Sequence, residues 1–266
     1  MGSIPFARRE KDERVSDVIR AFFLAKVEFD DLLAGYRRDN TMDFPRLHRF
    51  LEKGMFELKE ECHFLFRSPD RNTTDDIQPQ DLFDVLIGSI FHELMKIKEC
   101  AYQIQQYGPM YRKMRAAKRG TKLTVREASF LDACNKINNR AARSMRSDID
   151  SAEELFRDAC EHLEHMLPDL HTNRPLARML IENRELVEKA MGADAVERLL
   201  AGMFSGQLDE AYLAAAHEYL DGGWYAPAQK AAEKALQINP DRSEANLILE
   251  KLEKARAAHR MDAADS

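Results

Sequence analysis

Along this chain apolar residues return every three or four positions for long stretches, with polar and charged residues between them. That spacing is the repeat of one helix face. From Val15 a stripe runs through Val18, Ile19, Phe22, Ala25, Phe29, Leu32, Leu33 and Tyr36, and "RRDNTMD" ends it. Asp43 is placed to cap a second helix with Pro45 in its first turn, and Leu47, Leu51, Met55, Leu58, Cys62 and Leu65 carry its stripe to about Arg67. The polar stretch "SPDRNTTDDIQPQ" separates it from a third stripe of Phe83, Leu86, Ile90, Leu94, Ile97, Ala101 and Ile104, which should end at Gly108 and Pro109. In "TVRE", Thr124 and Glu127 have the spacing of a capping box, so a long fourth helix should start there. Its stripe is Leu131, Cys134, Ala141, Met145, Ile149, Ala152, Leu155, Ala159, Leu163 and Met166, as far as Pro168, with a break expected near "SDID".

Long amphipathic helices on short connections can bury their stripes only against one another, which predicts an antiparallel helical bundle over residues 1–168. "PDLHTNRP" carries the breakers of a domain boundary, and residues 175–258 read as shorter helices ending in a capping helix, with a polar tail at 259–266. The fold class is all-α.

Within the second part, residues 209–242 place Tyr212, Ala216, Tyr219, Gly223, Tyr225, Ala228, Ala235 and Pro240 at the spacing of a helix-turn-helix unit of about 34 residues. The segment resembles the tetratricopeptide repeat family, departing from it at Ala215, where a larger apolar residue is usual. Upstream, residues 175–208 have the length of a second unit, but Glu182 and Asp194 fall where small residues are needed. The resemblance covers about the last third of the chain. It implies a protein or peptide held on the inner helix, where Leu213, Ala216, His217 and Leu220 would line the surface. The Lys and Asn clamp of the chaperone-binding members is absent from those positions.

Composition changes the picture in one place. The chain of 266 residues has a net charge of −6, yet between Tyr111 and Arg146 stand eleven basic residues and two acidic ones, a net of +9. The remainder therefore carries −15. Lys136, Arg140 and Arg143 share a helix face and form a candidate docking patch for an acidic partner or, less favoured, for nucleic acid, since the segment has few aromatics to stack on bases. The favoured alternative is a face that pairs with the acidic remainder of the chain or is simply solvated.

Chemistry-bearing motifs are sparse. Glu60 and His63 give one Glu-x-x-His pair where a di-iron bundle needs two, so a metal-dependent bundle enzyme is the weakest reading. The sequence has no GxGxxG, P-loop, GxSxG or HExxH, and no cofactor is implied. Cys62, Cys100, Cys134 and Cys160 stand singly inside helical patterns and read as reduced thiols. No run approaches the roughly 20 apolar residues of a membrane span, and the N-terminus has no apolar leader, which points to the cytoplasm. The expectation is a non-enzymatic adaptor or scaffold.

Overall fold

The computed structural model describes residues 6–66, 78–170 and 173–264. Among these the chain is helical throughout, with no strand, and no helix is long and apolar enough to cross a membrane. The helices are α1 (Phe6–Asp39), α2 (Phe44–Arg49), α3 (Phe56–Phe66), α4 (Pro79–Ala117), α5 (Val125–Met166), α6 (Asn173–Glu182), α7 (Arg184–Met191), α8 (Ala195–Met203), α9 (Leu208–Asp221), α10 (Tyr225–Ile238) and α11 (Ser243–Ala264). The all-α expectation is met. Most of the stretch "SPDRNTTDDIQPQ" lies outside the described residues; α11 continues through most of the segment read as a tail.

The chain forms two compact units, residues 25–160 and residues 1–24 with 161–266. The divisions fall inside α1 and α5 and differ from the boundary expected at Pro168–Pro175. A helical stripe records that a face is buried, but not which neighbour buries it. The first 24 residues thus belong with the C-terminal helices although 200 residues of chain separate some of them. Residues 1–168 expressed alone should therefore expose Val15, Val18, Ile19, Phe22 and Phe23, all buried in the intact chain. Aggregation or strong binding of a hydrophobic dye by that fragment is the expected outcome; a monomeric, dye-silent fragment would contradict it.

In the unit of residues 25–160, Phe29 of α1 stacks on Phe156 of α5 with ring centroids 4.9 Å apart, and Phe66 of α3 meets Phe83 of α4 edge-on at 6.1 Å. Arg46 of α2 is held by a two-pronged ion pair to Glu28 of α1 at 2.6 and 2.8 Å. Asp43 caps α2 as expected, its Oδ1 accepting from the Arg46 N–H at 3.1 Å. Between α2 and α3, residues Phe50–Met55 widen into a π-helical turn. The wider turn takes up an extra residue, so that Leu47, Leu51, Met55, Leu58 and Cys62 all stay on the buried side, with Phe66 rather than Leu65 completing the row. On α4 the buried row is Phe83, Ile87, Ile90, Leu94, Ile97 and Ala101, with Ile87 in the place expected for Leu86. On α5 Phe156 likewise takes the place of Leu155, and the helix passes "SDID" without a break.

The third helix does not stop at Gly108 and Pro109. α4 runs 39 residues, to Ala117, with Pro109 inside it. An interior proline removes the hydrogen bond to the carbonyl four residues back and costs about 3 kcal/mol, and an interior glycine about 1 kcal/mol. Gly108 has a local reason: a Cβ there would lie 3.1 Å from Asn138 Oδ1 of α5, so the small residue permits the close approach of α5.

In the other unit α9 is the central helix, packed on α6, α8, α10 and α11. The turn from α9 to α10 ends in a glycine motif: Gly223 has φ +77°, and the Trp224 N–H donates to the Tyr219 carbonyl at 2.8 Å. Only glycine adopts that conformation without strain, which fixes the reversal into α10. Ala216 on α9 and Ala228, Ala232 and Ala235 on α10 are fully buried where the two helices meet.

Candidate functional site

The surface expected on α9 is closed by the chain itself. Leu213 is 4% exposed and Ala216 is fully buried, while His217 and Leu220 are half-buried. His217 Nε2 lies 3.5 Å from Glu244 Oε1 of α11. In a stacked repeat array the inner helix faces solvent and its ligand; here α6, α8 and α11 pack on α9 in addition to its hairpin mate α10. Leu213 and Ala216 are therefore core residues, and the expectation that they line an open partner-binding surface is corrected. Nothing in the sequence of α9 marks this, since a solvent-facing alanine row and a packed one look alike.

Polar anchors hold this packing. Arg184 at the start of α7 reaches Glu197 of α8 at 2.7 Å, Glu188 at 3.0 Å and the Tyr212 hydroxyl of α9 at 3.0 Å. The hydrogen bond to Glu197 raises the Arg184 pKa further and lowers that of Glu197. Arg178 of α6 lies over the Trp224 ring, 5.0 Å from its centroid, and donates to the buried Glu218 at 3.4 Å. Burial pushes the hydroxyls of Tyr212 and Tyr219 upward. A cavity of about 470 Å³ opens beside Arg178 and Trp224, lined also by Glu13, Asp17, Arg20 and Glu182, so its charges are mixed.

Lys136, Arg140 and Arg143 are all exposed on α5. Lys136 is paired with Asp132 at 2.8 Å, and the Arg143 Nε–H donates to the Asn139 carbonyl at 3.4 Å. Exposed pairs of this kind are weak and leave the positive face available.

The end of the α4–α5 pair is the feature that spacing could not reveal. From Met110 to Phe130 the chain closes α4, turns through residues 118–124 and opens α5. Met110 is 45% exposed, Leu123 39%, Val125 87% and Phe130 42%. Around them stand Arg112, Lys113, Arg115, Lys118, Arg119, Lys122 and Arg126, with Glu127 as the one acidic residue of the stretch. The turn is well made. Thr124 N–H donates to Glu127 Oε2 at 2.9 Å, the Glu127 N–H returns to Thr124 Oγ1 at 3.3 Å, and Lys118 Nζ lies 2.7 Å from Glu127 Oε1. The capping box expected at "TVRE" is present.

These contacts, Lys118 first and the Thr124 donors next, hold the Glu127 carboxyl at about 2, below its ordinary value of 4.5. A lowered carboxyl pKa contributes stability above the unfolded value, and that contribution fades as pH falls toward the folded one. The cap on α5 should thus weaken between about pH 4.5 and 2. A carbon-detected titration of Glu127 should give a midpoint near the lower limit, and an ordinary glutamate midpoint would contradict the cap.

Elsewhere, His63 Nδ1 is 3.2 Å from Asp84 Oδ2, and Cys100 Sγ donates to Asp148 Oδ2 at 3.8 Å. Among the described residues no group of three or more His, Cys, Asp or Glu side chains is placed to hold a metal ion. Cys62, Cys134 and Cys160 are buried, and all four cysteines are free thiols. Compared with protein-family models, with curated proteins and with solved structures, the chain matches none.

Proposed function

We propose that this chain is a protein-interaction adaptor, acting by binding rather than catalysis, and that it captures an acidic partner protein with the end of the α4–α5 pair. In this reading α9 and α10 form a tetratricopeptide-type hairpin turned inward, used to gather the helices around it. The observation that carries the proposal is the exposure of Met110, Leu123, Val125 and Phe130 among seven basic residues. Exposed apolar side chains ringed by arginine and lysine match the make-up of protein interfaces, in which aromatic, Met and Arg side chains are enriched. The charges would raise the rate of encounter with an acidic surface, and the apolar contacts would set the lifetime of the complex. The face at Lys136, Arg140 and Arg143 extends the same field along α5.

The test is crosslinking from residue 123 or 130 in the native host, followed by binding measurements with the purified partner. Val125→Ser with Phe130→Ser should shorten the lifetime of the complex about tenfold or more, consistent with loss of one interface anchor of about 2 kcal/mol. Arg119→Glu with Lys122→Glu should mainly slow association. The rival nucleic-acid reading rests on the net +9 between Tyr111 and Arg146. It gains if single- or double-stranded nucleic acid binds with a steep salt slope that the charge reversal flattens while the Ser substitutions do nothing.

A further inference from the structure

A second site lies in the unit of residues 25–160, on the other side of the Gly108–Pro109 step. A cavity of about 330 Å³ is bounded by α1, α4, α5 and the turn after α1. This is within the size range of small-ligand pockets. Arg112 from α4 and Arg146 from α5 both line it, and Tyr36, Thr41 and Asn138 add polar groups. Met42, Ile104 and Met145 supply an apolar wall.

Three observations bear on what it takes. First, Arg112 and Arg146 come from different helices onto one cavity, and neither has an ion-pair or hydrogen-bond partner among the described residues. Two arginines that converge without a carboxylate make a seat for an anion, because each presents several donors in a fixed fork. Second, Met42, Ile104 and Met145 stand on the same cavity as the two arginines, so an apolar body attached to an anion has a wall to lie on. Third, α4 carries a helix-disfavouring residue at this wall: Pro109, itself a lining residue, has no N–H for the carbonyl of Gln105, which also lines the cavity. A local rule of helix composition is broken where the cavity lies.

We propose that this cavity binds a small organic anion, a carboxylate or a phosphate, that carries an apolar body and one N–H or O–H donor. The anionic group sits between Arg112 and Arg146, the donor meets the Gln105 carbonyl, and the body lies on Met42, Ile104 and Met145. This site shares Arg112 with the basic stretch of the adaptor reading, but its test needs no partner protein and leaves the Arg119 and Lys122 test of that reading untouched.

The experiment uses the full chain and three probes by titration calorimetry: N-benzoylglycine, which has a carboxylate, an N–H and a ring; its phosphate counterpart N-benzoyl-O-phosphoethanolamine; and 3-phenylpropionate, which lacks the N–H. Binding of the first or second, with the third weaker, is expected, and the better of the two identifies the anion. Arg112→Gln with Arg146→Gln should weaken binding about tenfold or more. Arg49→Gln with Lys53→Gln, an equal change of charge at exposed residues that do not line the cavity, should leave it unchanged. In the unaltered protein, methionine-methyl spectra should shift at Met42 and Met145 on addition of probe. No binding by any probe at millimolar concentration, equal weakening by both pairs of substitutions, or shifts at other methionines without Met42 and Met145 would each overturn the proposal.

Discussion

Ala216→Glu is expected to abolish the cooperative unfolding transition of the C-terminal unit or to lower its stability by roughly 3–5 kcal/mol, the penalty for an uncompensated charge in a core. Ala216 is fully buried on α9, which has α6, α8, α10 and α11 against it. A carboxylate there can neither reach water nor displace a helix without cost. Trp224 is the single tryptophan of the chain, and it lies under Arg178 and 6.3 Å from Tyr219, so its fluorescence follows this unit during denaturation. Leu213→Glu separates two architectures. Were the inner face of the repeat open to a peptide, it would be a surface change worth about 0.5 kcal/mol or less. A wild-type midpoint would restore the open groove; a collapse of the transition supports the closed one, in which Leu213 is buried.

The second large effect belongs to the unit of residues 25–160. Phe156→Ala should destabilise it by about 3–5 kcal/mol, as large-to-small changes at aromatic core positions do. Phe156 is fully buried and stacks on Phe29 at 4.9 Å, so truncation removes both the ring's own contacts and half of an aromatic pair. Circular dichroism at 222 nm during urea denaturation should show the loss as an earlier helical transition while the Trp224 signal keeps its midpoint. A shift of less than about 1 kcal/mol would mean that the site collapses around the smaller residue.

Much of the fold could be read from spacing alone because an amphipathic helix writes its buried face directly into the order of residues. The rows on α1, α4 and α5 were legible to within one position, and the misplacements share a cause. Leu86 and Leu155 fit a three-or-four spacing as well as Ile87 and Phe156 do, and only the neighbouring helix decides between them. Asp43, Thr124 and Glu127 were legible for a different reason: a cap depends on residues three apart and on nothing distant. Gly108 and Pro109 misled because their usual meaning is a helix end, whereas here Gly108 answers to Asn138, thirty residues further on. The candidate site was half legible. Charge is additive along a chain, so the basic run appeared in a count, but the exposure of Val125 or the burial of Leu213 depends on what else the fold brings near.

The end of the α4–α5 pair has a bearing on how this protein can change over generations. Leu123, Val125 and Phe130 lie at a turn, away from the fully buried rows, so replacing them alters little of what keeps the chain folded. Selection can therefore vary this surface residue by residue, without first having to tolerate a weakened protein.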